Sequence, residues 1–293
     1  MKILVFGEIG QLGQELIRRA GDVTLEVRGL DEADFTQPET CVAFVNATDA
    51  DAVINAVAYT AVDKAEDDEP LAHQINAATP TALARAAADR GLPFVHVSTD
   101  YVFDGDGETP FTPDHPPAPK GAYGRTKLDG ERGVQAAGGP HAILRTSWVV
   151  SAHGHNFIKT MLDLGRKLDA LSIVCDQIGG PTPAAALADA CLAAARGLLN
   201  DPSKTGIYHV AGGPDTSWAG FAREIFAQAG IDCDVGETTT AAYAAKQHAA
   251  GKIYADRPLN SRMDCTTLET VLGMPRPDWR AGLTDILKDL GEI

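Results

Sequence analysis

Five short runs rich in Val, Ile, Leu and Phe, at residues 2–7, 23–30, 51–58, 93–99 and 142–150, alternate through the first half of the chain with amphipathic stretches near 11–20, 37–47, 70–90 and 123–137. Strands that recur with helical crossovers pair in parallel, and strands apolar on both faces need helices above and below them. The pattern predicts an α/β fold built on a doubly wound parallel sheet.

The chain has 293 residues, more than one compact unit usually holds, and after Val150 the alternation loosens. Strand candidates remain at 171–175 and 206–211, with helices near 156–168, 184–199 and 217–229. The expected division is a nucleotide-binding part, 1–150, followed by a mainly substrate-binding region, 151–293, from which segments within about 171–211 return to the sheet. The Pro/Gly/Asp-rich stretch from Asp104 to Gly121 can be neither regular helix nor central strand and reads as a long surface loop. Alanines crowd 82–88 and 241–250, which helix propensity accounts for.

A formal net charge of −15 repels the phosphates of DNA, RNA and anionic membranes, so no nucleic acid and no membrane is expected as a partner. The charge does not exclude small phosphate ligands, because backbone amides at a helix N-terminus bind anions on acidic proteins. No apolar stretch approaches the roughly 20 residues of a membrane-spanning helix, and the first residues lack the pattern of a signal peptide. A cytoplasmic location is expected. Cys41, Cys175, Cys191, Cys233 and Cys265 are odd in number, scattered and without a Cys-x-x-Cys pair, as befits free thiols. His153 and His155 have no further ligands at metal spacing and read as a polar loop, so no metal is expected.

Gly7-x-x-Gly10-Gln11-Leu12-Gly13 follows the first strand directly and opens a helix. Three glycines there permit a tight turn and close backbone approach to a pyrophosphate, which makes the sheet of Rossmann type and the ligand a dinucleotide. After the second strand, Arg28 and Asp31 pull towards opposite coenzymes: a carboxylate suits the 2′-hydroxyl of NAD, an arginine the 2′-phosphate of NADP. Either NADPH or NADH therefore fits. Asp34 and Phe35 follow as a carboxylate and an aromatic for the adenosine, or equally as a loop aspartate and a core ring.

Tyr123 and Lys127 lie four residues apart, one turn on the same helix face. A phenol of pKa about 10 is a poor proton-transfer group at neutral pH, and a fixed cation beside it favours the phenolate. Upstream, Ser98-Thr99-Asp100-Tyr101-Val102-Phe103 runs off the C-terminal end of a strand, where open α/β sheets bind ligands. Thr99 there can donate to a substrate carbonyl.

These motifs, with Asn55-Ala-Val-Ala58-Tyr59-Thr60-Ala-Val-Asp63-Lys64-Ala-Glu66, Arg145-Thr146-Ser147-Trp148-Val149 and Arg257-Pro258-x-Asn260-Ser261, closely resemble the dTDP-4-dehydrorhamnose reductases, a group of the extended short-chain dehydrogenase/reductase family. The resemblance runs over nearly the whole chain. It implies NAD(P)H-dependent reduction of the 4-keto group of dTDP-4-dehydro-L-rhamnose to dTDP-L-rhamnose, a step towards cell-surface polysaccharide. It also implies that Gly10, Gln11 and Leu12 cradle the cofactor pyrophosphate, that Asp31, Asp34 and Phe35 serve its adenosine half, and that Ala58, Tyr59 and Thr60 line it further along. Tyr123 would be the proton donor, Lys127 would hold the nicotinamide ribose and tune Tyr123, and Thr99 and Asp100 would contact the sugar.

Trp148 would pack on the hexose, a role that an aromatic face suits and that competes with a plain core tryptophan. Arg257 offers a guanidinium fork to the substrate diphosphate, against a surface salt bridge. Some members pair into a homodimer around a divalent cation held by three carboxylates. Glu15 and Glu292 match the outer two, but Ala184, Ala185 and Ala186 stand where the third would be, so the metal is not carried over. A related nucleotide-sugar epimerase or dehydratase, and a non-catalytic NADP-binding regulatory subunit, are the competing readings on the same scaffold.

Overall fold

The structure is a computed structural model that describes residues 1–293. Its core alternates β1 (Lys2–Phe6), α1 (Gln11–Arg18), β2 (Thr24–Arg28), α2 (Pro38–Ala47) and β3 (Ala52–Asn55), then the short helices α3 (Val62–Asp67) and α4 (Glu69–His73). It continues through α5 (Thr79–Asp89), β4 (Phe94–Thr99), α6 (Ala122–Ala136) and β5 (His141–Thr146). The strand Gly206–Val210 joins β5 at the edge, so the six strands run β2-β1-β3-β4-β5 and then Gly206–Val210, all parallel. The doubly wound sheet expected from the alternation is thus present. Its order reverses between β1 and β3, and a crevice at the strand ends beside such a reversal is where this class of sheet holds ligands.

Both sheet faces are apolar, as the continuous burial of β3 and β5 requires. Leu12 and Leu16 of α1 pack with Leu187, Cys191 and Leu198 of the helix Ala184–Asn200 on one face. Cys41 and Val45 of α2, Leu83 and Ala87 of α5 and Val134 of α6 cover the other. A third apolar cluster, built on Ile158, Phe221, Ile225 and Trp279, holds the C-terminal region together beside the strand ends.

Three local expectations change. The run 142–150 is not one strand: β5 stops at Thr146, Trp148 takes a left-handed φ of 49°, and Val149–Val150 pairs with Thr182–Pro183 instead. The strand Ala170–Val174 does not return to the main sheet but pairs with Asp234–Thr238. The helical stretch 70–90 is interrupted by a π-turn, Gln74–Ala78, between α4 and α5. The stretch 104–121 is irregular, as expected, and is anchored by Phe111, which bridges to Met263 and stacks on Phe103. No helix is long and apolar enough to cross a membrane.

Candidate active site

Because β1, β3, β4 and β5 are parallel, the loops leaving their C-terminal ends converge, and together they wall a cleft of about 570 Å³. The glycine loop contributes Gly10, Gln11 and Leu12, the segment after β3 contributes Ala58 and Thr60, and β4 contributes Thr99 and Asp100. Tyr123 and Lys127 reach in from α6, and Trp148 from the break after β5.

The glycine loop fits a pyrophosphate on its own geometry. Gly7 has φ 106°, and a Cβ on Gly13 would lie 2.3 Å from the Gly7 carbonyl oxygen, so neither position accepts a side chain without moving backbone. The N-cap of α1 is Gly10, and no side chain caps the helix, which leaves its first amides to an anion. Gln11 has a second use: its Oε1 accepts from Ser151 Oγ and Asn156 Nδ2, and its Nε2 donates to the Val149 carbonyl, tying the loop to the far wall of the cleft.

At the other end, Lys127 is 1% exposed, and its Nζ donates to the Val97 carbonyl at 2.6 Å. Burial lowers its pKa to about 8, against the attraction of Glu131 one turn along. Glu131 itself accepts from Nε and Nη2 of the buried Arg145, at 2.9 and 2.7 Å. Tyr123 stands edge-on to Tyr101, with ring centroids 5.4 Å apart. Burial pushes its phenol up to about 12, with a hydrogen bond to Thr99 working the other way and the charge of Asp100 adding to the rise. The Lys127 ammonium is turned to the Val97 carbonyl, and burial dominates the shift of the Tyr123 phenol.

Thr99 donates to Asp100 Oδ1 at 3.0 Å, and burial raises the Asp100 carboxyl to about 6, with Ser261 and then Thr99 opposing the rise. Asp100 Oδ2 is buried without a partner. Trp148 lies in the cleft with its indole stacked on Trp218, centroids 3.7 Å apart, and Trp218 is fixed by a bond to Gln177.

Other candidates sit outside this wall. Asp34 caps its own turn, accepting from the amide and hydroxyl of Thr36. Phe35 is 3% exposed and packs edge-on against Phe6, so its ring belongs to the core and only its backbone is left to face an adenosine. Asp31 is exposed after β2, and Tyr59 is half-buried with its amide on Asn76 Oδ1. Arg257 donates to Asp63 at 2.6 Å and lies over the Tyr254 ring, yet its Nη1 is buried with no partner. Glu15 is paired with Arg18 and His153, and Glu292 with Arg166.

Sequence reasoning did not single out four residues. Asn76, wholly buried in the π-turn, clamps the Tyr59 backbone to Thr126 of α6. Asn55 and His96 form a buried pair beneath Lys127, and Trp218 backs Trp148. A buried polar residue within an otherwise apolar strand run, Asn55 at the end of β3 and His96 in the middle of β4, is the available signal.

The family model described as the RmlD substrate binding domain matches residues 1–292. The dTDP-4-dehydrorhamnose reductase of Shigella flexneri is 38% identical over 301 residues, covering 99% of this chain and 98% of the relative. A crystal structure of a dTDP-4-dehydrorhamnose reductase from Clostridium acetobutylicum superposes with TM-score 0.89 at 36% identity, over 99% of this chain and 100% of that one. One from Bacillus anthracis, solved in complex with NADP, gives TM-score 0.88 at 31% identity, over 98% and 99%.

Proposed function

The chain belongs to the dTDP-4-dehydrorhamnose reductase family, and from that membership we propose that it reduces the 4-keto group of dTDP-4-dehydro-L-rhamnose to dTDP-L-rhamnose at the expense of NAD(P)H. The observation that carries the reading is the convergence of Tyr123, Lys127 and Thr99 on the cleft that the glycine loop opens. A nicotinamide coenzyme, when bound, supplies the hydride.

Gly10, Gln11 and Leu12 would hold its pyrophosphate on the amides of α1, Asp31 would face the adenosine ribose, and Ala58, Tyr59, Thr60 and Lys127 would follow towards the nicotinamide end. Tyr123, kept neutral by burial, carries the proton that a developing C4 alkoxide takes up, and the phenol is acidic enough to give it because an alkoxide is far more basic. The Thr99 hydroxyl, which donates to Asp100 Oδ1 at 3.0 Å, would have to rotate away from that carboxylate to donate to the same oxygen and align it. Asp100 would accept from a sugar hydroxyl that takes the place of Ser261 or Thr99 beside it, and the Trp148–Trp218 stack offers a flat apolar wall to the C–H face of a deoxyhexose. Arg257, with Nη1 unpartnered, would take the diphosphate.

The five free cysteines, four of them buried, support a reducing, cytoplasmic setting. Mass analysis tests the reading: the ketosugar nucleotide gains two mass units with wild type and not with Tyr123→Phe.

A further inference from the structure

Four carboxylates, Glu8, Glu26, Asp31 and Glu32, and one arginine surround the end of β2, and the arginine is already engaged. Gly7 donates its amide to the Arg28 carbonyl at 3.0 Å, which fixes the start of the glycine loop against this strand end. The next residue, Glu8, lays its side chain across Gly29: a Cβ on Gly29 would lie 2.5 Å from Glu8 Oε2. In a sheet of this type the adenosine ribose rests at that strand end, where a carboxylate suits the free 2′-hydroxyl and a cation suits a 2′-phosphate.

Arg28 is held away from that role by its neighbours, and only its buried Nε is left without a partner. Its Nη2 donates to Glu26 at 2.7 Å and its Nη1 to Glu32 at 3.3 Å, and the guanidinium carbon sits 4.7 Å above the Phe44 ring on α2. The other basic residues between Gly7 and Asp34 are Arg18 and Arg19, at the far end of α1, which pair with Glu15, Asp289 and Asp189. Asp31 and Glu32, both exposed, add further negative charge to the turn after Gly29.

We propose that Glu8 is the residue that sets coenzyme choice, and that this chain uses NADH in preference to NADPH. The proposal rests on the reductase reading above and narrows it. A 2′-phosphate would bring negative charge against Glu8, and a like charge placed in a binding site rejects one ligand without improving the other. Glu8 and the 2′-hydroxyl form instead a hydrogen bond with an ionised acceptor. Similarity to a protein solved with NADP does not carry that preference over, because the choice rests on this loop's own residues.

Calorimetric titration of wild type, Glu8→Gln and Glu8→Lys with NADH and NADPH, in the absence of sugar nucleotide, tests it. Wild type is expected to bind NADH at least roughly tenfold more tightly, Glu8→Gln to narrow that ratio by roughly threefold or more through tighter NADPH binding, and Glu8→Lys to reverse it. NADPH binding as tight as NADH in wild type, or a ratio that neither variant moves, overturns the proposal and leaves the reductase reading standing. Binding of neither coenzyme overturns both.

Discussion

Nε2 of His96 lies 3.5 Å from the ammonium nitrogen of Lys127, with both side chains almost wholly buried. Asn55 decides what that contact is. Its Oδ1 accepts from the Val57 amide, so its Nδ2 faces His96 Nδ1 at 3.1 Å, and His96 accepts there. Burial holds His96 well below its usual pKa, so the neutral ring carries its proton on Nε2 and presents a donor to another donor. The arrangement disfavours the lysine cation and welcomes the free amine.

A pH signature follows. The folded state holds Lys127 at about 8 and the unfolded chain near 10.5, so between those values the unfolded chain binds more protons. This group therefore adds stability above 10.5 and loses it as pH falls through about 8. Activity slopes the other way, because the ammonium is lost as pH rises. The value of kcat/KM for the coenzyme, which reports the free enzyme, is expected to fall with a midpoint near 8, while Tyr123 stays protonated. His96→Gln, which can turn an acceptor to Lys127, moves that midpoint up; an alkaline limb at the same pH in both proteins contradicts the role given to His96.

Gly13→Ala forces a Cβ to within 2.3 Å of the Gly7 carbonyl oxygen and 2.9 Å of the Glu8 carbonyl oxygen, so the loop has to open. Strain of this kind costs about 1–3 kcal/mol, and its relief reshapes the cradle. Coenzyme affinity measured by titration is expected to drop by roughly tenfold or more. An unchanged dissociation constant would show that the loop does not touch the coenzyme.

Glu131→Ala leaves Arg145 buried and unpaired between α6 and β5. Losing one partner of a buried ion pair costs roughly 3–5 kcal/mol, whereas replacing both by apolar residues is often close to neutral. Urea denaturation of Glu131→Ala and of the double variant Glu131→Leu, Arg145→Met measures the contrast. A single variant as stable as wild type would mean that the pair is already solvated.

What was legible in the sequence was whatever local chemistry alone decides. Apolar runs marked β1, β3 and β4 because parallel central strands must be apolar on both faces, and the glycine spacing marked the loop because no other residue fits Gly7 and Gly13. The break at Trp148 was hidden, since Thr146 to Val150 has strand-like residues throughout; it arises because Trp148 stacks on a ring 70 positions along, at Trp218. Phe35 is ambiguous for the same reason, because residues distant in sequence, Phe6 of β1 and Leu83 of α5 among them, decide that its ring is core. Lys127 was found but its surroundings were not: His96, Asn55 and Val97 approach from neighbouring strands, and no spacing within α6 announces them.

The central claim is that Tyr123 gives up the proton in a coenzyme-dependent ketone reduction. Its most direct test follows the loss of nicotinamide absorbance when dTDP-4-dehydro-L-rhamnose is added, comparing wild type with Tyr123→Phe, which keeps the ring packed on Tyr101 and removes only the hydroxyl. Wild type is expected to oxidise the coenzyme, and the variant to lose roughly 10²–10⁴ in kcat with coenzyme binding intact. A variant that turns over within a few-fold of wild type, or a wild type that oxidises neither NADH nor NADPH, would contradict the account.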